Sequence, residues 1–152
     1  MKPEEKARLK IDQWLTDAGW KVIDRDEFEA DSSAVAVREG LLKGNKEADY
    51  FLFINGKAVG VLEAKREEID VTTSIVCEQV EGYARLIPSY YSAYQRPLPF
   101  LFTSNGKHFY FRDYRKEDSC YNEIFVMFKP KRLVEMLGVT DPFAGLPTLN
   151  PK

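Results

Sequence analysis

The stretch Ala48-Asp49-Tyr50-Phe51-Leu52-Phe53-Ile54-Asn55-Gly56-Lys57-Ala58-Val59-Gly60-Val61-Leu62-Glu63-Ala64-Lys65 decides the fold. Two runs rich in β-branched and aromatic residues, Ala48 to Ile54 and Lys57 to Lys65, flank Asn55-Gly56, the strongest short-range signal for a β-hairpin. Most of both runs is apolar (Phe51, Leu52, Phe53 and Val59, Val61, Leu62), as in strands covered on both faces. The charges stand only where the runs end. Period two along a strand puts Glu63 and Lys65 on one face, with Ala64 opposite.

Where Asp49 points depends on the turn. A tight two-residue loop pairs Ile54 with Lys57 and sets Asp49 against Leu62, away from Glu63. A three-residue loop, a type I turn with Gly56 left-handed, pairs Phe53 with Lys57 and leaves Asp49 on the Glu63 face, diagonal to it. Diagonal neighbours lie roughly 7–8 Å apart, within reach of one cation. The expectation is the three-residue loop, or a bulge with the same parity.

Working outward, Glu4 to Ala18 has helical apolar spacing, with Gly19 as a stop. Trp20 to Phe28 reads as extended, Asp31-Ser32-Ser33 as a turn and Ala34 to Leu42 as β-rich. Past the hairpin, a helix is expected from about Thr73 to Ile87, capped by Asp70, Thr72 or Thr73. A tyrosine-rich loop follows, framed by Pro88, Pro97 and Pro99. Phe100 to Thr103 and Lys107 to Asp113 form a second hairpin about Asn105-Gly106. Glu123 to Phe128 reads as a strand and Lys131 to Leu137 as a short helix ended by Gly138. Three of the eight prolines then fall in the last eleven residues. The expected organisation is one mixed α/β domain over residues 1–138 and a proline-containing linker over 139–152.

Composition narrows the function. In 152 residues, 22 Lys+Arg against 24 Asp+Glu give a net charge of −2, which excludes a protein that coats nucleic acid by charge alone. The single histidine, His108, excludes sites that need two. No G-x-G, phosphate loop or G-x-S-x-G elbow occurs. Cys77 and Cys120, 43 residues apart, match neither a disulfide framework nor a zinc spacing. With no signal peptide and no apolar run near 18 residues, the expected compartment is the cytoplasm, with no membrane partner. Carboxylates and lysines are the remaining tools.

Two carboxylates and an ammonium suit metal-assisted phosphodiester hydrolysis. Mg²⁺ takes hard oxygen ligands, one or two of them carboxylates, and keeps waters for substrate and nucleophile. A lysine beside it orients the attacking water or stabilises the crowded phosphorus centre. The competing reading of Asp-x13-Glu-x-Lys is an ordinary solvated strand edge. Gln79 and Tyr83, at i and i+4 on the next helix, add a polar stripe beside its apolar one.

The string Ile11-Asp12 … Ala18-Gly19-Trp20, Ala36-Val37-Arg38-Glu39, Ala48-Asp49-Tyr50, Val61-Leu62-Glu63-Ala64-Lys65, Gln79-x-x-x-Tyr83 and Pro99-Phe100 … Ser104-Asn105-Gly106 resembles the N-terminal nuclease domain of type I restriction enzyme R (motor) subunits, in the PD-(D/E)XK nuclease superfamily. Ala48 stands where that superfamily's name has proline, and Lys46-Glu47 makes the approach more charged. The resemblance implies a restriction-endonuclease-like core, a central mixed β-sheet flanked by helices. It implies a Mg²⁺-dependent endonuclease acting on double-stranded DNA, with Mn²⁺ as a substitute. Asp49, Glu63 and the Ala64 carbonyl would hold the metal and Lys65 would be the catalytic lysine. Gln79 and Tyr83 would support the site and position DNA. Glu39 is either a further acidic residue near the metal or a plain surface charge. The whole subunit would continue into a motor domain that uses ATP, and would assemble with methylation and specificity subunits. The alternatives are a non-catalytic module of the same fold that binds DNA or partner subunits, and a repair-type nuclease of the superfamily.

Other residues carry weaker readings. Arg66, Lys107 and Arg112 are candidate contacts to the DNA backbone, the last two within a hairpin whose alternating aromatics otherwise read as core. Tyr90, Tyr91 and Tyr94 are base-stacking candidates or simple packing residues. His108 reads as surface or structural, and Cys77 as a small packing residue.

Overall fold

The hairpin forms as β3 (Tyr50–Ile54) and β4 (Lys57–Ala64), buried along nearly its whole length. Its turn has two residues. Ile54 pairs with Lys57, and Asn55 and Gly56 both take positive φ, 51° and 79°, the backbone that Asn-Gly tolerates best. The three-residue loop expected from the sequence is therefore not the one formed. Parity is restored further along: Leu52 pairs with Gly60 but Phe53 with Ala58, so Val59 is an extra residue in β4. Beyond this bulge Tyr50 pairs with Leu62, and continuing the register brings Asp49 opposite Glu63. The bulge alternative is the one realised.

The computed structural model describes residues 3–29, 33–38 and 49–138. Around the hairpin it places α1 (Pro3–Asp17), β1 (Lys21–Asp24), a 3₁₀ turn (Arg25–Glu27), β2 (Ala34–Arg38), α2 (Ser74–Arg85), β5 (Ser92–Ala93), β6 (Phe100–Ser104), β7 (Phe109–Asp113), β8 (Asn122–Ile124) and α3 (Pro130–Leu137). Among the described residues the strands form one mixed sheet in the order β1-β2-β3-β4-β6-β7-β8, with β5 paired to the start of β4. β4 and β6 are parallel, and a parallel neighbour needs a crossover, supplied here by α2. The linker expected over 139–152 lies outside the described residues, as does Ala48.

The alternation of side chains sorts the core into two layers. Tyr50, Leu52, Ile54 and Leu62 point to one face, where they meet Ile11 and Leu15 of α1 and Leu133 and Val134 of α3. Phe51, Phe53, Val61 and Leu101 point to the other and meet Val80 and Ala84 of α2. Most alternating aromatics of β7 are spent on packing: Phe109 stacks on Trp14 at 3.7 Å and Phe111 packs between Phe102 and Phe128. Tyr91 likewise packs on Phe28 and Phe53 at the turn end of the hairpin.

Two local contacts aim the functional end of the sheet. Thr73 caps α2 by accepting from the Val76 N–H at 3.4 Å. Gly106, at φ +84°, closes the β6–β7 turn against α1, where an added Cβ would lie 2.9 Å from the Ala7 Cα. Only glycine lets the turn sit that close.

Candidate active site

Asp49 and Glu63 lie on the α2 face of the sheet, at the end of the hairpin remote from its turn. The Ala64 N–H donates to Asp49 Oδ2 at 2.8 Å, which fixes the Asp49 carboxylate across the two strands. Its Oδ1 accepts from the guanidinium of Arg8. Arg8 belongs to α1, the helix that packs on the other face, so its side chain passes round the end of the sheet. Glu63 is 3% exposed and its Oε2 pairs with the Lys65 ammonium at 3.0 Å. Two carboxylates are thus held together, with one cation on each.

The charges do not settle evenly. Burial pushes the Glu63 carboxyl up to about 8; the Asp49 charge adds to the rise and Lys65 works against it. The same two acids, after burial, push the Tyr83 phenol up to about 12, so Tyr83 lies in their field. Glu63 Oε1 is buried with no hydrogen-bond partner. So are Gln79 Oε1 on α2 and Thr103 Oγ1, which faces Glu63 across the β4–β6 register. An unpaired polar atom in a dry interior costs about 1–3 kcal/mol, so three on one face is a strained arrangement for a purely structural region.

Beside these groups lies a cleft of about 420 Å³ lined by Lys65, Arg66, Ile69, Thr73, Val76 and Gln79 among others. Arg66 reaches this cleft and is only loosely paired, 3.6 Å from Glu68. The remaining candidates sit elsewhere. Lys107 is exposed at the β6–β7 turn, with Glu67 in its field. Arg112, offered by the sequence as a DNA-backbone contact, is turned inward. It pairs with Glu81 at 2.9 Å, donates to Ser119 and lies over the rings of Tyr114 and Tyr121. His108 makes a surface pair with Glu123 at 3.0 Å. Glu39 lies outside the described residues. Arg8 and Thr103 escaped the sequence reading. The one lies far from the motif in the chain, and the other looks like any strand threonine.

A family model described as the second domain of the type I restriction enzyme EcoKI endonuclease subunit matches residues 1–137. The chain belongs to that family. Within it, the chain is 25% identical, over 191 aligned positions, to the type I restriction enzyme EcoKI endonuclease subunit of Escherichia coli (strain K12). That match covers 89% of this chain and 16% of the relative, so this type I endonuclease-subunit domain spans a small part of the curated protein. Two solved structures share its fold. One is a fragment described as an HsdR subunit of a type I restriction enzyme from Vibrio vulnificus YJ016, with TM-score 0.60 and 21% identity over 93% of this chain and 27% of that one. The other is the type IIG restriction endonuclease BpuSI, with TM-score 0.55 and 19% identity over 88% of this chain and 15% of that one. The restriction-endonuclease-like core expected from the sequence is therefore the fold of this family member. No described helix is long and apolar enough to cross a membrane.

Proposed function

We propose that this chain is the DNA-cleaving domain of a type I restriction enzyme endonuclease subunit, hydrolysing phosphodiester bonds of double-stranded DNA with a divalent ion, Mg²⁺ or Mn²⁺. The observation that carries this reading is the pairing of Asp49 with Glu63, whose Oε1 is buried and unpartnered, beside Lys65. Family membership and the relatives' names add their support.

The residues fit a hard cation. Asp49, Glu63 and the Ala64 carbonyl form a sparse all-oxygen donor set, which suits Mg²⁺ because that ion keeps several of its waters. Among the described residues no group of three or more His, Cys, Asp or Glu side chains converges, so those residues offer no zinc-type cage. A divalent ion held there supplies charge to the phosphoryl oxygens and lowers the pKa of water.

The chain's own residues do the rest. Lys65, 3.0 Å from Glu63 Oε2, carries an ammonium that orients water towards phosphorus and offsets charge growing on the phosphate. Gln79 and Tyr83 stand one helical turn apart, so one rigid helix face borders both the carboxylates and the cleft. Arg66 at the cleft is the backbone-phosphate contact, since a guanidinium matches two phosphate oxygens at once. The subunit's ATP-driven motor and the methylation and specificity subunits belong to the same proposal, as partners that deliver and select the DNA. The decisive experiment is plasmid nicking in Mg²⁺ by wild type, Asp49→Ala and Lys65→Ala, paired with calorimetric Mn²⁺ titration. Nicking and metal binding that both vanish in Asp49→Ala support the reading. Nicking that survives both substitutions, or metal binding unaffected by Asp49→Ala, overturns it.

A further inference from the structure

Asp49 is served by two donors with different properties. The Ala64 N–H is backbone, belongs to a paired strand and cannot move away without breaking the hairpin end. The Arg8 guanidinium reaches Asp49 Oδ1 from another layer, and its side chain is 37% exposed. Partly exposed ion pairs are weak, because water compensates each partner when they separate. One donor therefore orients Asp49 and the other neutralises it.

Glu63 is arranged differently. Its cation, Lys65, stands two residues away, just past the end of the same strand, where its backbone N–H donates to the Ser104 carbonyl at 2.8 Å. Of the two positive charges described on the acids, Arg8 is the one that arrives from a separate element, and its side chain is the more exposed, 37% against 27% for Lys65. Gly106 keeps the α1 backbone against the β6–β7 turn one residue before Arg8, so a departing side chain swings from a fixed anchor.

We propose that Arg8 is an internal cation that competes with the divalent ion for Asp49, a positioning residue that sets the metal affinity of the site. This inference rests on the metal-dependent reading above. Binding of the ion displaces the guanidinium from Asp49 Oδ1 towards solvent, while the Ala64 N–H keeps the carboxylate aimed. No bond is made or broken; the exchange is one cation for another.

The test is calorimetric titration of Mn²⁺ into the full 152-residue chain, without DNA, for wild type, Arg8→Gln, Arg8→Met, Arg8→Lys and Asp49→Asn. Gln and Met both suit a helix, so neither variant disturbs α1 by propensity. The two neutral variants are expected to bind Mn²⁺ on the order of fivefold tighter than wild type, the release of one partly exposed ion pair. Arg8→Lys, which keeps the charge, is expected to stay near wild type. An Mn²⁺ affinity unchanged or weakened in both neutral variants overturns the proposal; weakening would make Arg8 a clamp that orients Asp49. Wild-type binding that Asp49→Asn abolishes and Arg8 variants leave unchanged removes this inference alone. Absence of Mn²⁺ binding in wild type and in every Arg8 variant removes the metal-dependent reading and this inference together.

Discussion

Two arginine–carboxylate pairs face the α2 side of this molecule, and they behave as opposites. Arg112 and Glu81 are less than a quarter exposed, at 17% and 20%, and their surroundings are complete. Ser119 takes a second guanidinium contact, Tyr121 donates to the same Glu81 oxygen at 3.4 Å, and two aromatic rings cover the cation. Arg8 and Asp49 are paired as well, but their neighbours Glu63, Gln79 and Thr103 each leave a buried oxygen unsatisfied. A finished polar cluster holds a fold together. An unfinished one, with like charges pressed together, stores free energy that a ligand can release.

The sharpest way to break the contrast is to disable each cluster and ask what is lost. Lys65→Ala is expected to reduce plasmid nicking roughly 10³-fold while leaving the unfolding midpoint in urea nearly unchanged. A parallel loss of stability would mean that the lysine is a structural counter-ion. Arg112→Ala should do the reverse: about 2 kcal/mol of stability lost, because the mostly buried Glu81 is left without its cation, with nicking per folded molecule retained. Chemical denaturation and a nicking assay on the same preparations separate the two outcomes.

A pH series sharpens the comparison further. The Glu63 carboxyl titrates near 8 in the folded chain against an ordinary value of 4.5. Between those values the folded state keeps a proton that the unfolded state has lost, so metal-free stability falls as pH rises through this window. The slope is at most about 1.4 kcal/mol per pH unit. Glu63→Gln should flatten it, whereas Glu81→Gln should leave it in place. Urea melts in chelator between about pH 5 and pH 8 would measure both. The smallest expected effect lies between the clusters, at the start of the helix they share. Thr73→Ala removes a long cap bond and should cost about 0.5 kcal/mol in the same melts, at the low end for such caps.

How much of this could be read from the chain varies by residue. The hairpin could, because Asn55-Gly56 between two apolar runs admits few other structures. The common face of Asp49 and Glu63 was readable only as a requirement of the chemistry. Val59 does not differ from its neighbours in type, and nothing local marks it as the extra residue. Arg112 misled because alternation along β7 fixes which face a side chain takes but not whether that face is already occupied, here by Glu81 from α2. Arg8 was out of reach for a related reason. Its contact joins α1 to a residue 41 positions away, round the end of a sheet, and no periodicity encodes it.

The bulge at Val59 has an arithmetic consequence. In a hairpin closed by a two-residue turn with no insertion, facing residues are always separated by an odd count. Asp49 and Glu63 are separated by 14, an even one. An even count needs the insertion: at this length a hairpin without the Val59 bulge would pair Asp49 with Leu62 and send Glu63 to the α1 face, although every residue of the motif would still be present. Competence in this chain is therefore written partly in the agreement between a number and a bulge, and a comparison that matches letters alone does not see whether the two agree.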